Sequence, residues 1–312
     1  MTLLEVSNLT LINSHNSQTI LKAITFSLKK GEILGVLGES GSGKSLTALS
    51  ILNLLPSNLR IVSGQIRFAQ QDLLKLNPKD WPKIRGKEIS IIFQDPLSTL
   101  NPVLNIGEQL GEVVYYHLGL KGSQAKELII KTLKEVGISD PELRLRSYPH
   151  ELSGGMRQRV MIAMSILCSP RLLIADEPTT ALDLTIQMQI IELLKNLNRE
   201  RELSILFITH DLGVLRWFAH RILVYYQGQI LESAPTEKLF ARPLHPYTQV
   251  LFASYPGREK PFLKETFIKK RYMPAYCDFA YRCPHPCKEV SEREPPLIEA
   301  EPGHYVRCHL YA

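Results

Sequence analysis

Apolar runs recur along the chain at lengths that suit buried strands. Ile33-Leu34-Gly35-Val36-Leu37, Ile89-Ser90-Ile91-Ile92-Phe93, Leu172-Leu173-Ile174-Ala175 and Ile205-Leu206-Phe207-Ile208 are nearly continuous, as a strand covered on both faces requires. Residues 3–9 and 20–37 also read as strands, and 23–28 alternates apolar with polar. Between these runs the period lengthens. Residues 45–55 carry Leu, Ala and Ile at helical spacing and Pro56 closes them, and 186–201 forms a second such stretch. The segment from about 104 to 165 is mostly helical in pattern, and 221–231 reads as a hairpin turning at Gln227-Gly228. Strands alternating with helices predict an α/β fold with a parallel core. No internal repeat is visible.

The length of 312 residues suggests one large domain with an appendage. A hydrophobic content of 44% and a charged content of 22% exclude disordered, collagenous and coiled-coil classes. The longest uncharged apolar stretch, 160–168, falls far short of the roughly 20 residues a membrane-spanning helix needs. The opening MTLLEVSNLT lacks a basic region followed by an apolar core, so a cytoplasmic chain is expected. Lys and Arg number 37 against 31 Asp and Glu, a net charge of +6 that suits an anionic ligand or a membrane surface. The densest basic run is only Lys269-Lys270-Arg271, so no nucleic-acid partner is expected. All but one of the five cysteines and half of the 20 prolines lie beyond position 240. That marks the last 70 or so residues as a different, turn-rich structure.

Chemistry enters at the ends of the apolar runs. Gly38-Glu39-Ser40-Gly41-Ser42-Gly43-Lys44-Ser45 fits G-x-x-x-x-G-K-[ST] between a buried strand and a helix. Such a loop wraps a phosphate with successive N–H groups, and the helix N-terminus adds partial positive charge. Lys44 reaches the β- and γ-phosphates and Ser45 offers a hydroxyl to Mg²⁺. The strand 172–175 ends in two acids. Asp176 at its tip suits Mg²⁺, and Glu177 is placed to take a proton from an attacking water.

Between these motifs lies Leu152-Ser153-Gly154-Gly155-Met156-Arg157-Gln158-Arg159, which resembles the LSGGQ signature of ABC-type ATPases with Met in fifth place. Gln94, in Phe93-Gln94-Asp95-Pro96, resembles that family's glutamine loop. Ala181-Leu182-Asp183 resembles its aspartate loop and His210, in Ile208-Thr209-His210-Asp211, its switch histidine. The elements stand in the family's order and span roughly 3–240. The resemblance implies an ABC-type phosphate-loop nucleotidase core over 1–240, with a helical subdomain at about 95–165 and a small Cys/Pro-rich extension over 241–312. It implies ATP and Mg²⁺ as ligands. Gly38, Ser40, Gly41, Ser42, Gly43, Lys44 and Ser45 would hold the phosphates, and Ser45, Gln94 and Asp176 the Mg²⁺. Glu177, His210 and Gln94 would be catalytic. Ser153, Gly154, Gly155 and Asp183 would complete the site of a second ATPase subunit. One departure concerns the adenine: between Asn13 and Ile20 only His15 offers a ring, and no stacking residue is assigned.

The short interval between Gln94 and Ser153 excludes the long coiled-coil insertion of chromosome- and repair-type relatives, and the single phosphate loop excludes the tandem translation-factor types. A transporter ATPase remains. Gln94-Asp95-Pro96-Leu97-Ser98-Thr99-Leu100-Asn101-Pro102, Tyr148-Pro149-His150-Glu151 and Pro243-Leu244-His245-Pro246-Tyr247-Thr248 are similar to stretches of the dipeptide/oligopeptide importer subfamily, which includes nickel importers. The implied partners are two integral-membrane permease subunits docking around 95–120, a paralogous second ATPase and, indirectly, an extracytoplasmic peptide-binding protein. The implied place is the cytoplasmic face of the inner membrane. An importer of nickel or another small solute, and a soluble ABC ATPase without a permease, are the alternatives.

The pattern Cys277-x5-Cys283-x3-Cys287-x20-Cys308 gathers four thiols, with His285, His304 and His309 nearby. Disulfides are disfavoured in a reducing compartment, and four thiolates suit an iron–sulfur cluster or Zn²⁺, with plain structural thiols as the third reading. Cys277-Asp278-Phe279-Ala280-Tyr281-Arg282-Cys283 resembles the C-x-F-x-x-R-C of the peptide-importer extension, some members of which carry a four-iron four-sulfur cluster. The gap from Cys283 to Cys287 is shorter than the family's, and Tyr276 stands where Gly is frequent.

Overall fold

The structure is a computed structural model that describes residues 1–94, 99–180, 182–253, 277–285 and 294–312. Four of the positions singled out above, Asp95, Ala181, Tyr276 and Cys287, lie outside the described residues, as do Pro96-Leu97-Ser98 and the basic run 269–271. The strands are β1 (Thr2–Asn13), β2 (Thr19–Lys29), β3 (Ile33–Gly38), β4 (Leu59–Phe68), β5 (Gln71–Asp72), β6 (Ile89–Ile92), β7 (Leu172–Asp176), β8 (Ser204–Thr209), β9 (Arg221–Tyr226), β10 (Gln229–Pro235), β11 (Ile298–Glu301) and β12 (His304–Val306). The chain forms two compact units: Met1–Leu3 with Leu28–Ile33 and Phe68–Ile208, and Leu4–Ser27 with Leu34–Arg67 and Thr209–Ala312.

In the first unit β6, β7 and β8 lie side by side with β7 central, and both pairings are parallel. Every residue of β7 and β8 is buried, which explains their unbroken apolar sequence. Helix Gly154–Ile166 contributes Val160, Ile162, Ala163 and Ile166 to the core, and helix Leu184–Arg201 contributes Ile190, Ile191, Leu194 and Leu197. The region 104–165 is helical in pieces: Ile106–Leu118, Gly122–Glu135, the single turn Pro141–Arg144, and Gly154–Ile166. The first of these opens in a capping box. Asn105 Oδ1 accepts from the Glu108 N–H at 2.8 Å, and Glu108 Oε2 accepts from the Asn105 N–H at 2.9 Å.

In the second unit β2, β1 and β4 form one sheet in that order. A second sheet runs β11-β12-β10-β9-β3, with β3 and β9 parallel and the other pairs antiparallel. The β9–β10 hairpin turns at Gln227 (φ 43°) and Gly228 (φ 78°), the left-handed pair that matches the twist of a two-residue hairpin. A side chain at Gly228 would bring a Cβ within 1.9 Å of the Ile20 carbonyl oxygen, so only glycine fits there.

Among the differences from the sequence reading, one concerns a helix end and one the C-terminal region. Helix Lys44–Ile51 stops well before Pro56. Asn53 turns left-handed (φ 50°), and the Leu54 N–H reaches back to the Leu49 carbonyl at 2.9 Å, the 6→1 bond that closes a helix. The C-terminal region carries the β11–β12 hairpin, which the turn-rich composition conceals. β12 pairs with β10 through Glu232↔Val306 and Ser233↔Tyr305.

That junction is pinned by one carboxylate. Glu232 is fully buried, and its oxygens accept from the backbone N–H groups of Leu244 (2.7 Å) and His245 (2.9 Å) and from His304 Nε2 (2.7 Å). A buried charge is tolerable only when its lone pairs are answered in this way. Glu232→Ala would orphan three donors, at about 1–3 kcal/mol each. We therefore expect Glu232→Ala to lower unfolding stability by at least about 3 kcal/mol in urea titration. Limited proteolysis should cut near residues 294–312 before it cuts the rest of the chain. An unchanged midpoint would show that the carboxylate does not pin the hairpin.

Candidate active site

The phosphate loop belongs to the second unit. β3 ends at Gly38, where a Cβ would stand 2.4 Å from the Tyr225 carbonyl oxygen. Gly43, the residue before the helix, has φ 100°, a conformation closed to L side chains, and a Cβ there would meet Leu21 at 2.6 Å. Lys44 is buried beneath the loop. Its Nζ donates to the carbonyls of Gly38 and Glu39, both at 2.9 Å, and lies 3.5 Å from Ser42 Oγ. One ammonium is thus held at the centre of the turn by the backbone it would share with a phosphate. Ser40 and Gly41 are exposed at the rim, Ser42 is buried, and Ser45 is exposed on the first helical turn.

The two acids belong to the first unit. Asp176 closes β7 and is 9% exposed. Glu177 leaves the strand with φ 48°, left-handed backbone that costs a non-glycine residue about 1–2 kcal/mol. Its N–H donates to the Ile208 carbonyl at 2.9 Å. Its carboxylate accepts from Gln94 Nε2 at 3.1 Å and from Thr180 Oγ1 at 3.0 Å. The structure therefore brings the glutamine of one motif onto the carboxylate of another. Thr180 is a partner that sequence reasoning passed over, because a Thr in a polar turn carries no distinguishing signal.

Ser153 and Asp183 cap helices in the same unit. Ser153 Oγ accepts from the Met156 N–H at 3.3 Å and Asp183 Oδ1 from the Ile186 N–H at 3.0 Å. A Cβ at Gly155 would press Ile186 Cγ2 at 2.9 Å, so Gly155 is required by packing between the two helices. A Cβ at Gly154 would meet only Leu182, at an ordinary 3.8 Å, so the fold does not require glycine there. His210, in the second unit, is exposed just beyond the end of β8. Asp211 behind it caps helix Leu212–Phe218 by accepting from the Gly213 (2.7 Å) and Val214 (3.2 Å) N–H groups.

Cys277 and Cys283 are half-buried at the two ends of a turn whose Phe279 is buried, and Cys283 Sγ donates to the His285 carbonyl at 3.3 Å. Cys308 is buried against Leu244 and Val306. His304, a possible extra ligand by sequence, is instead bound to Glu232. Among the described residues no three His, Cys, Asp or Glu side chains gather as a metal site would need. No helix among them is long and apolar enough to cross a membrane.

The family model for the ABC transporter matches residues 21–180, and that for the oligopeptide/dipeptide transporter C-terminal region matches residues 231–289. The oligopeptide transport ATP-binding protein AppD of Bacillus subtilis is 46% identical, over 99% of this chain and 97% of its own. The dipeptide transport ATP-binding protein DppD of Escherichia coli is 42% identical, over 92% of this chain and 89% of its own. Among solved structures, the ATP-binding cassette MJ0796, dimeric in a post-hydrolysis state bound to ADP and Pi, is 28% identical with a TM-score of 0.66. The match covers 75% of this chain and 98% of that one. Phosphate loop, strand-end acids and capped signature helix thus stand in a chain that belongs to the ABC transporter family, among the ATP-binding proteins that carry the oligopeptide/dipeptide-type C-terminal region.

Proposed function

We propose that this chain is the ATP-hydrolysing subunit of an importer of di- or oligopeptides, working peripherally on the cytoplasmic face of the membrane with two separate permease subunits. The observation that carries the catalytic part is the Gln94–Glu177 contact at the tip of a fully buried strand. A carboxylate held there by an amide and a hydroxyl, on left-handed backbone, is oriented before any substrate arrives.

The division of labour follows phosphoryl transfer, which is mostly positioning and charge stabilisation. Lys44, the amides of residues 38–43 and the helix N-terminus hold the phosphates. Ser45, Gln94 and Asp176 offer only oxygen donors, the chemistry a Mg²⁺ ion takes, and the ion would neutralise phosphate charge. Glu177 accepts the proton of the attacking water, and His210 orients that water at the γ-phosphate. Ser153, Gly154, Gly155 and Asp183 face the nucleotide of a second ATPase subunit. Gly154 supports this reading, since its missing side chain leaves room that the chain's own packing does not use. A paralogous second ATPase fits the subfamily better than two identical chains, and an extracytoplasmic peptide-binding protein supplies the solute. The peptide assignment is supported by the names of the relatives and by the matched C-terminal region.

Beside and on helix Ile106–Leu118, Val103 (75% exposed), Tyr115 (53%) and Tyr116 (67%) stand out of the surface. Their exposure supports permease docking in the predicted 95–120 region. A four-iron four-sulfur cluster on Cys277, Cys283, Cys287 and Cys308, or Zn²⁺ there, is supported by the thiol pattern and by the resemblance of residues 277–283 to the importer extension, and no step above depends on it.

Glu177→Gln should lower ATP turnover by about 10²–10⁴-fold while MgATP affinity stays within about twofold. Cells carrying that variant should lose uptake of labelled peptides but keep Ni²⁺ uptake. Loss of Ni²⁺ uptake instead would transfer the chain to the nickel reading. Tyr116→Asp should weaken co-purification with the membrane subunits by about tenfold or more without touching MgATP binding. Full recovery would remove helix Ile106–Leu118 from the docking surface. Iron and acid-labile sulfide should appear together in chain purified without oxygen and vanish together in Cys308→Ser. Their absence from the wild-type chain would dismiss the cluster.

A further inference from the structure

Glu39 is the one carboxylate within the stretch Gly38 to Ser45, an odd residue to build into a loop that holds phosphates. Left bare, it repels the incoming anion. Two side chains from the C-terminal region grip it. Arg282 Nη1 lies 3.2 Å from one Glu39 oxygen and 3.3 Å from the other, and the Glu39 N–H donates to the Tyr247 hydroxyl at 3.3 Å. One contact answers the carboxylate, and the other fixes a main-chain amide of the phosphate loop.

Both partners are themselves held. Tyr247 is fully buried, with its ring 4.5 Å from that of Tyr226 and 5.4 Å from that of Phe279. Its N–H donates to His245 Nδ1 at 2.9 Å, and the His245 N–H is bound to Glu232. Phe279 is 1% exposed and meets Tyr226 edge-on at 5.5 Å. Asp278 pairs with Lys22. Arg282 also caps the Phe279 ring at 5.9 Å. The turn from Cys277 to Cys283 is therefore seated by a buried aromatic and an ion pair, and it presents Arg282 to the loop. An ornamental surface pair would not need such seating.

The geometry points to Arg282 and Tyr247 as positioning residues for the phosphate loop, acting on nucleotide affinity through Glu39. Arg282 neutralises the Glu39 carboxylate and turns it from the phosphates. Tyr247 fixes the entry of the loop. The inference rests on the ATPase reading above. It makes the C-terminal segment, which carries Cys277 and Cys283, part of what sets ATP affinity.

The test measures MgATP affinity of the full-length chain by calorimetry, and KM and kcat for hydrolysis, at low and high salt. Arg282→Ala should raise Kd and KM about fivefold at low salt, the size that one partly exposed charge pair supports, with kcat little changed. The effect should shrink in high salt. Arg282→Lys should recover most of it. Removing Arg282 in a Glu39→Gln background should cost little further affinity, because no carboxylate remains to neutralise. Tyr247→Phe keeps the ring packing and removes only the hydroxyl, and should weaken MgATP by about two- to tenfold. An equal loss from Arg282→Ala with and without the Glu39 carboxylate would overturn the inference and leave Arg282 as a staple of its own segment. Unchanged affinity in both Arg282→Ala and Tyr247→Phe would overturn it as well. A wild-type chain that binds no MgATP would bring down the ATPase reading itself, whereas a wild type that binds MgATP beside indifferent variants would bring down this inference alone.

Discussion

A parallel strand buried on both faces has to shed its polarity at its ends. β3, β7 and β8 have every residue buried, and nearly every side chain along them is apolar. A polar side chain in the middle would cost a few kcal/mol unless it found a partner there. Sequence therefore switches from apolar to polar within one residue, at the carboxyl end, where the chain must also turn. Gly38 closes β3, Asp176 closes β7, His210 follows β8, and Gln94 stands two residues past β6. The chemistry collects there because those are the positions where a rigid, buried scaffold ends and hydrogen-bonding groups become affordable. Backbone strain sits there too: Glu177 at φ 48° is a non-glycine residue in left-handed backbone, whereas Gly43 takes φ 100° without strain. For Glu177 the cost is offset by an N–H bond to Ile208 and by two donors on its carboxylate.

The same contrast decides what the sequence discloses. Fully buried strands are legible because burial on both faces writes an unbroken apolar run, and the motifs are legible because they sit at the ends of those runs. β4 was not, because only Ile66 and Phe68 of its ten residues are buried and Ser63-Gly64 interrupts its apolar pattern. The end of helix Lys44–Ile51 was not, because Leu52, Leu54 and Leu55 continue the apolar pattern while a left-handed Asn53 breaks the backbone. β11 and β12 are only four and three residues long and sit among prolines. What holds them is Glu232, whose buried carboxylate no periodicity marks. Contacts between residues far apart in the chain, such as Arg282 to Glu39 or Gln94 to Glu177, write nothing into local pattern at all.

The signature residues show a further limit on reading function from type. Ser153 and Asp183 are held by family likeness to work at a nucleotide, yet each is also the N-cap of its own helix. Replacing a capping Ser or Asp by Ala costs about 0.5–2 kcal/mol of stability on its own. A loss of activity in Ser153→Ala therefore has two sources, and only a substitution that preserves the cap, such as Ser153→Thr, leaves the ligand role as the remaining cause. The neighbouring glycines separate the same two causes by geometry. A side chain at Gly155 collides with Ile186 and disturbs helix packing, whereas one at Gly154 meets ordinary contact and disturbs nothing the chain itself builds. If Gly154 is nonetheless intolerant of a side chain, the demand comes from outside this chain, which is where a nucleotide bound by a second subunit would lie.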